Sequence, residues 1–251
     1  MKLAISGKGG VGKTTVAALL IRTLDEMGKR VLAIDADPDA NLAAAIGIAD
    51  AEKITPISEM EDLIYERTEA KRGSIGGFFK LNPKVDDLPD ALSVGFNNIK
   101  LMRLGGVKKG GAGCICPEST LLKSLVTYIV LARDEVVVMD MEAGIEHLGR
   151  ATAKAVNRLL VVVEPGRRSI DTAGHIQKLA SEIGLKQIAL IGNKIRQQQD
   201  EEFLKTHLAQ FDFLGFLPFD NALIEADLKG ISPFDVDSPP KAAIREIVIR
   251  L

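Results

Sequence analysis

The sequence predicts an α/β protein: a mostly parallel sheet with helices on both faces. Three observations carry that expectation. The apolar runs are short, rich in Val, Ile and Leu, and continuous rather than alternating, as in strands buried on both faces. Longer stretches with helical spacing separate them. Finally, 251 residues, 46% of them hydrophobic, suffice for one large core and leave little room for a second. One domain over residues 1–251 is therefore expected.

The strands are expected at residues 2–6, 30–34, 99–104, 135–140, 158–163, 187–191 and 213–217. Helical patterns lie between them, as at 14–27 and 171–183. The irregular region is 52–113, with Gly- and Pro-containing pieces; it reads as helix, long loop, one strand, then a second Gly-rich loop. Long loops at strand ends of such folds usually carry function. Residues 241–251 place Ile244, Ile247, Val248 and Leu251 on one helical face, which reads as a docked final helix.

The net charge is −2, so bulk electrostatics do not select nucleic acid or an anionic membrane as partner. Apolar stretches such as 125–132 fall well short of the roughly 20 residues a membrane span needs. Lys8 interrupts the first apolar run, which does not fit a signal peptide. No nucleic acid, no membrane and a cytoplasmic location are expected. Two cysteines in a chain this long make no disulfide framework.

The run Gly7-Lys8-Gly9-Gly10-Val11-Gly12-Lys13-Thr14 fits G-x-x-x-x-G-K-[ST], between a strand and a helix. It predicts a P-loop NTPase. Its glycines let successive backbone N–H groups, from Gly9 to Thr15, turn toward one anion. The helix N-terminus adds partial positive charge. Lys13 suits the β and γ phosphates, and the Thr14 hydroxyl suits Mg²⁺. Lys8 reads either as a solvated charge or as a phosphate ligand.

Carboxylates follow two strands. Asp35, Asp37 and Asp39 end the second, beside the phosphate loop, where Mg²⁺ or attacking water would sit. Asp35 could instead orient the loop, and Asp39 could be a polar turn residue. The run Val136-Val137-Val138-Met139-Asp140 is a Walker B strand whose carboxylate would hold water of the Mg²⁺ shell. Asn193, after the strand at 187–191, offers the donor and acceptor that suit a purine edge. Residue 196 is Arg, so the guanine-reading carboxylate of Asn-Lys-x-Asp is missing, which favours ATP. His175 and His207 read as surface residues; His147 follows the Asp140 segment and shows no ligand spacing.

Cys114 and Cys116 lie on a Gly-rich loop, Gly110 to Gly113, before Pro117 and Glu118. In extended chain, cysteines at i and i+2 point to opposite sides, a poor disulfide. In a looser turn they make half of a four-sulfur metal shell. A two-fold homodimer would complete it. A pair of small buried residues is the plainer reading.

Lys-Gly-Gly-x-Gly-Lys-Thr-Thr, starting at Lys8, resembles the deviant loop of the MinD/ParA/nitrogenase-iron-protein superfamily. That resemblance implies a nucleotide-sandwich dimer in which Lys8 reaches the partner's phosphates, as an arginine finger does. It places hydrolysis at Asp37, a second switch at residues 141–146, and adenine beside Asn193. With the cysteine pair and the segment Lys80 to Asp87, the chain resembles the CooC-type nickel-insertion ATPases. The implied function is ATP-driven dimerisation that gathers Ni²⁺ or Zn²⁺ at Cys114 and Cys116 of both subunits. The implied client is carbon monoxide dehydrogenase or acetyl-CoA synthase. A MinD/ParA positioning ATPase and an iron–sulfur carrier are the alternatives.

Overall fold

The computed structural model describes residues 1–71, 78–105, 116–142, 144, 145, 148 and 150–251. Their strands are β1 (Lys2–Gly7), β2 (Val31–Ala36), β3 (Val94–Phe96), β4 (Ile99–Arg103), β5 (Val136–Met141), β6 (Arg158–Val163), β7 (Ile188–Ile195) and β8 (Asp212–Pro218). They form one eight-stranded sheet ordered β3-β4-β2-β5-β1-β6-β7-β8. Every pairing is parallel except β3 with β4, an antiparallel edge.

All seven expected strands are present. Two differ in a way that matters to the site. β2 continues to Ala36, which puts Asp35 inside the strand rather than beyond it. β7 continues to Ile195 through register shifts against β8, so Asn193 and Lys194 lie in an irregular strand end. The edge strand β3 was not expected: three half-exposed residues show no usable period.

The helices are α1 (Lys13–Glu26), α2 (Leu42–Ile46), α3 (Glu61–Thr68), α4 (Leu88–Leu92), α5 (Pro117–Ala132), α6 (Arg150–Ala153), α7 (Arg167–Ile183), α8 (Gln198–His207), α9 (Asn221–Leu228) and α10 (Pro239–Ile249). They cover both faces. Along β1, Leu3 and Ile5 point to the layer holding α1, α2 and α10. Ala4, between them, points to the layer holding α3, α5, α7 and α8. The period of two survives, but both faces are apolar because both are covered.

Region 52–113 holds the expected helix, α3, and a short further one, α4, where a loop was expected. In its described parts, α3 packs on α5. Arg67 of α3 clamps Asp87 with two hydrogen bonds of 2.8 and 2.7 Å, which pins the segment leading into α4. α5 was expected only as an apolar stretch. It starts with Pro117 in its first turn, and the Cys116 sulfur accepts the Ser119 N–H at 3.4 Å as its N-cap.

No helix among the described residues is long and apolar enough to cross a membrane. The final helix α10 is docked: Ile244, Ile247 and Val248 are buried against α1 and β8. Gly215 of β8 makes room for Ile247, since a Cβ there would come within 2.7 Å of its side chain. Ile247→Ala should therefore lower the unfolding free energy by about 2–5 kcal/mol, read by urea titration. Unchanged stability would mean that this face is not spent on the core.

Candidate nucleotide-binding site

β1 lies between β5 and β6, and the loop after it opens at the carboxyl edge of the sheet, where α/β folds form their crevice. Two glycines shape the loop. At Gly7 (φ +151°) a Cβ would overlap the Val162 carbonyl of β6. At Gly12 (φ +93°), the N-cap of α1, a Cβ would overlap the Asn193 amide nitrogen. Between them the Val11 N–H donates to the Lys8 carbonyl at 3.2 Å, closing the turn. Val11 itself points into the core and contributes backbone only.

The loop opens into a cavity of about 660 Å³. Gly9, Gly10, Gly12, Lys13, Thr14 and Thr15 form one wall. Asp37 and Asp39, past the end of β2, and Glu142, past β5, form another. Leu223 and Asp227 of α9, with Ile231 and Pro233 beyond it, complete it; sequence reasoning missed these, because no motif marks them. Lys13 is buried within the site, whereas Lys8 does not line the cavity.

The three aspartates after Ile34 separate clearly. Asp35 is fully buried, and its carboxylate accepts the Leu42 N–H at 3.0 Å and the Asp37 N–H at 3.3 Å. It orients the loop, one of the two roles expected of it. Asp37 faces the cavity and accepts the Asp39 N–H at 3.0 Å. Asp39 is exposed at the cavity rim.

Asp140 sits one strand over, in register with Asp35 in the β2–β5 pairing. Both its carboxylate oxygens are buried, and among the described residues neither has a hydrogen-bond partner of ordinary geometry. Burial pushes its pKa up to about 7; the Thr14 hydroxyl and Lys13 oppose this, and Asp35 and Asp37 add to it. Burial likewise lifts Asp35 to about 6, against its two backbone N–H donors. Asp140, beside the Thr14 hydroxyl, fits the water shell of a divalent cation: the donors are oxygen, and the missing charge is positive. Ser6 ties the next segment down, donating to the carbonyls of Gly144 (2.8 Å) and Glu142 (3.2 Å).

Asn193 is buried and donates through Nδ2 to the Val11 carbonyl at 2.8 Å. The donor half of that amide thus braces the phosphate loop, leaving Oδ1 as the group it offers elsewhere. Lys194 adds a second brace, to the Gly10 carbonyl at 2.6 Å. Its backbone is left-handed (φ +58°), a conformation non-glycine residues rarely take, at the irregular end of β7. Lys194 and Glu164 were both missed from sequence. The signal was available for Glu164: it follows the apolar run of β6 directly, as Asp140 ends that of β5. Farther out, Arg196 stacks on Phe219, 3.7 Å from the ring centre.

Cys116 is half-buried, and Cys114 lies outside the described residues, as do the Gly110–Gly113 run, Glu146 and His147. No cluster of three or more His, Cys, Asp or Glu that could hold a metal occurs among the described residues. A single chain's described part therefore offers one thiol. His175 and His207 are exposed, as expected.

The model of the CobQ/CobB/MinD/ParA nucleotide-binding domain matches residues 2–234. The chain belongs to that family. It is 48% identical over 94% of its length to the carbon monoxide dehydrogenase accessory protein CooC of Rhodospirillum rubrum, covering 90% of that protein. It is 44% identical over 98% of its length to an uncharacterised ATP-binding protein of Methanocaldococcus jannaschii, covering 96% of it. Among solved structures, the MinC:MinD cell division complex of Aquifex aeolicus shares the fold, with a TM-score of 0.70 over 99% of this chain and 93% of that one, at 21% identity.

The buried carboxylates make the nucleotide-free chain pH-sensitive. Asp140 and Asp35 are raised in the folded chain above their unfolded values, so the folded state holds their protons longer. Stability from this source is fully present below about pH 4 and is lost as pH rises through about 6 and 7. Asp140→Asn should raise the Tm of the nucleotide-free protein at pH 7.5 by at least about 3 °C and flatten its fall between pH 5 and 7.5. Calorimetry showing a lower Tm for the variant would mean that the carboxylate is compensated in the folded chain.

Proposed function

We propose that this chain acts as one ATP-hydrolysing domain that dimerises on ATP, carries Ni²⁺ or Zn²⁺ on paired cysteines, and matures a nickel enzyme. The observation that carries the reading is one of placement. The first turn of α5, with Cys116 as its cap, lies at the carboxyl edge of the sheet, because α5 runs back antiparallel to the strands. The phosphate loop opens at that same edge. In this reading a change at the nucleotide is felt at the thiol along that shared edge. The similarity to a carbon monoxide dehydrogenase accessory protein supports that enzyme as client, with acetyl-CoA synthase as the other candidate.

In this reading the N–H groups from Gly9 to Thr15 and the Lys13 ammonium hold the phosphates. Asn193 meets adenine through the Oδ1 that the loop leaves unused. Thr14 and Asp140 hold Mg²⁺, Asp140 through its water shell; the ion would neutralise phosphate charge as the γ-phosphoryl leaves. Asp37 faces the γ-phosphate and orients the attacking water. Water's oxygen bonds to the γ-phosphorus, the bond to the bridging oxygen breaks, and ADP and phosphate leave. Lys8 of one subunit completes the phosphate site of the other. Each chain has two cysteines, so a four-sulfur shell requires Cys114 and Cys116 from both subunits across the two-fold axis. The apolar face of α10 is occupied by the core, so this reading uses no membrane contact there.

Lys13→Ala should abolish nucleotide binding in calorimetric titration. Asp37→Ala should bind ATP normally and hydrolyse it at least about 100-fold more slowly, as expected for loss of a water-positioning group. Normal turnover by Asp37→Ala would pass that role to Asp39, the other cavity-lining aspartate of the segment after β2.

Metal analysis tests the cargo. The ATP-bound dimer should hold one Ni²⁺ or Zn²⁺ per two chains, and Cys114→Ser or Cys116→Ser should lose it while still binding ATP. One metal per chain, or unchanged loading of the double serine variant, would place the ion elsewhere.

A further inference from the structure

Lys8 is not loose in the lone chain. Its ammonium lies 3.0 Å from Glu164 Oε1, and it stays outside the wall of the phosphate cavity. The other Glu164 oxygen, Oε2, lies 3.0 Å from the Lys194 ammonium. Lys194 in turn holds the Gly10 carbonyl. One carboxylate thus joins three strand ends: the loop after β1, the end of β6 and the end of β7.

The partners differ in how firmly they are held. Glu164 is anchored by its own backbone, whose N–H donates to the buried Ser169 hydroxyl at 3.0 Å in the first turn of α7. Lys194 is fixed by its left-handed backbone and by its bond to the loop. Among the described residues Lys8 meets Glu164 alone through its ammonium, and its side chain is 33% exposed. Burial works to raise the Glu164 carboxyl, but the hydrogen bonds from Lys194 and Lys8 outweigh it and hold it below the ordinary range. It is therefore an anion with two cations, and losing one leaves it paired with the other.

We infer that Glu164 is a positioning residue for Lys8: it parks the lysine against its own subunit and releases it to a second subunit's nucleotide. The inference rests on the trans-acting reading of Lys8 given above. A half-exposed ion pair shifts an equilibrium by only about two- to five-fold. That is enough to disfavour dimers without nucleotide, and a triphosphate's charge readily overcomes it. Lys194 keeps the carboxylate occupied after release, so opening the latch strands no buried charge.

The test is dimer fraction by light scattering as the non-hydrolysable analogue AMPPNP is titrated with Mg²⁺. The chains compared are the parent, Glu164→Gln, Glu164→Asp, Lys8→Ala and the Glu164→Gln/Lys8→Ala double variant. The analogue concentration for half-dimerisation should fall about two- to five-fold in Glu164→Gln. It should fall in the same direction in Glu164→Asp, whose shorter reach gives up Lys8 while keeping the charge and serves if the Gln variant folds poorly. The double variant should behave as Lys8→Ala, with the gain gone. AMPPNP affinity of the dilute monomer, which a structural role would weaken, should not fall. An unchanged or higher midpoint in the Glu164 variants, while Lys8→Ala fails to dimerise, would overturn the latch and leave the reading of Lys8 standing. Normal dimerisation of Lys8→Ala would overturn both.

Discussion

The pairing of β1 with β5 on one side and β6 on the other is the constraint on which the site depends. Parallel strands in register end together, so the groups just past them converge at one edge. Gly7 allows the closest part of this approach, where the Val162 carbonyl of β6 occupies the space a side chain would need. Past that point the chain turns, and α1 starts with its unpaired N–H groups aimed at the crevice. Asp140 arrives from β5, Glu164 from β6, and Asp35 from β2, one strand farther. None of these residues is near the loop in sequence except through this pairing.

Charge is the second organising element. On one side of the loop, burial holds Asp35 and Asp140 well above the usual carboxylate range, and the buried Lys13 ammonium opposes this only at Asp140. On the other side, one carboxylate, Glu164, is shared by two ammoniums. The resting chain is thus short of positive charge where a hydrated cation fits and has a surplus of it at the outer edge. A magnesium nucleotide would correct the first imbalance and draw on the second. The same strand ends that build the pocket therefore also set the electrostatic difference between its empty and filled states.

The thiol end of the molecule is tied to this arrangement by secondary structure. Cys116 caps α5 through its sulfur, and α5 packs on α3, whose Arg67 pins the segment around Asp87. A cysteine used as a helix cap has its place fixed by the helix.

Much of the fold was legible because strand and helix periods are local properties of the chain. The seven parallel strands, the phosphate loop, the Walker B aspartate and the docked final helix all follow from apolar spacing and a contiguous motif. β3 was illegible because three half-exposed residues carry no period, and α5 because a helix apolar on most sides loses the amphipathic stripe. Tertiary structure alone decided the roles of neighbours that look alike in sequence. Asp35 and Asp37 are two residues apart, yet one is buried in a strand holding backbone N–H groups and the other faces the cavity. Asn193 reads as a purine ligand, yet its amide nitrogen braces the loop. Glu164 and Lys194 gain meaning only from the ion pairs that the strand order makes across more than 150 residues of chain, from Lys8 to Glu164. The sequence by itself determined which chemistry the chain carries, because motifs and periods are written in neighbouring residues. Which charge meets which was left to the sheet, because only parallel pairing brings distant strand ends to one edge.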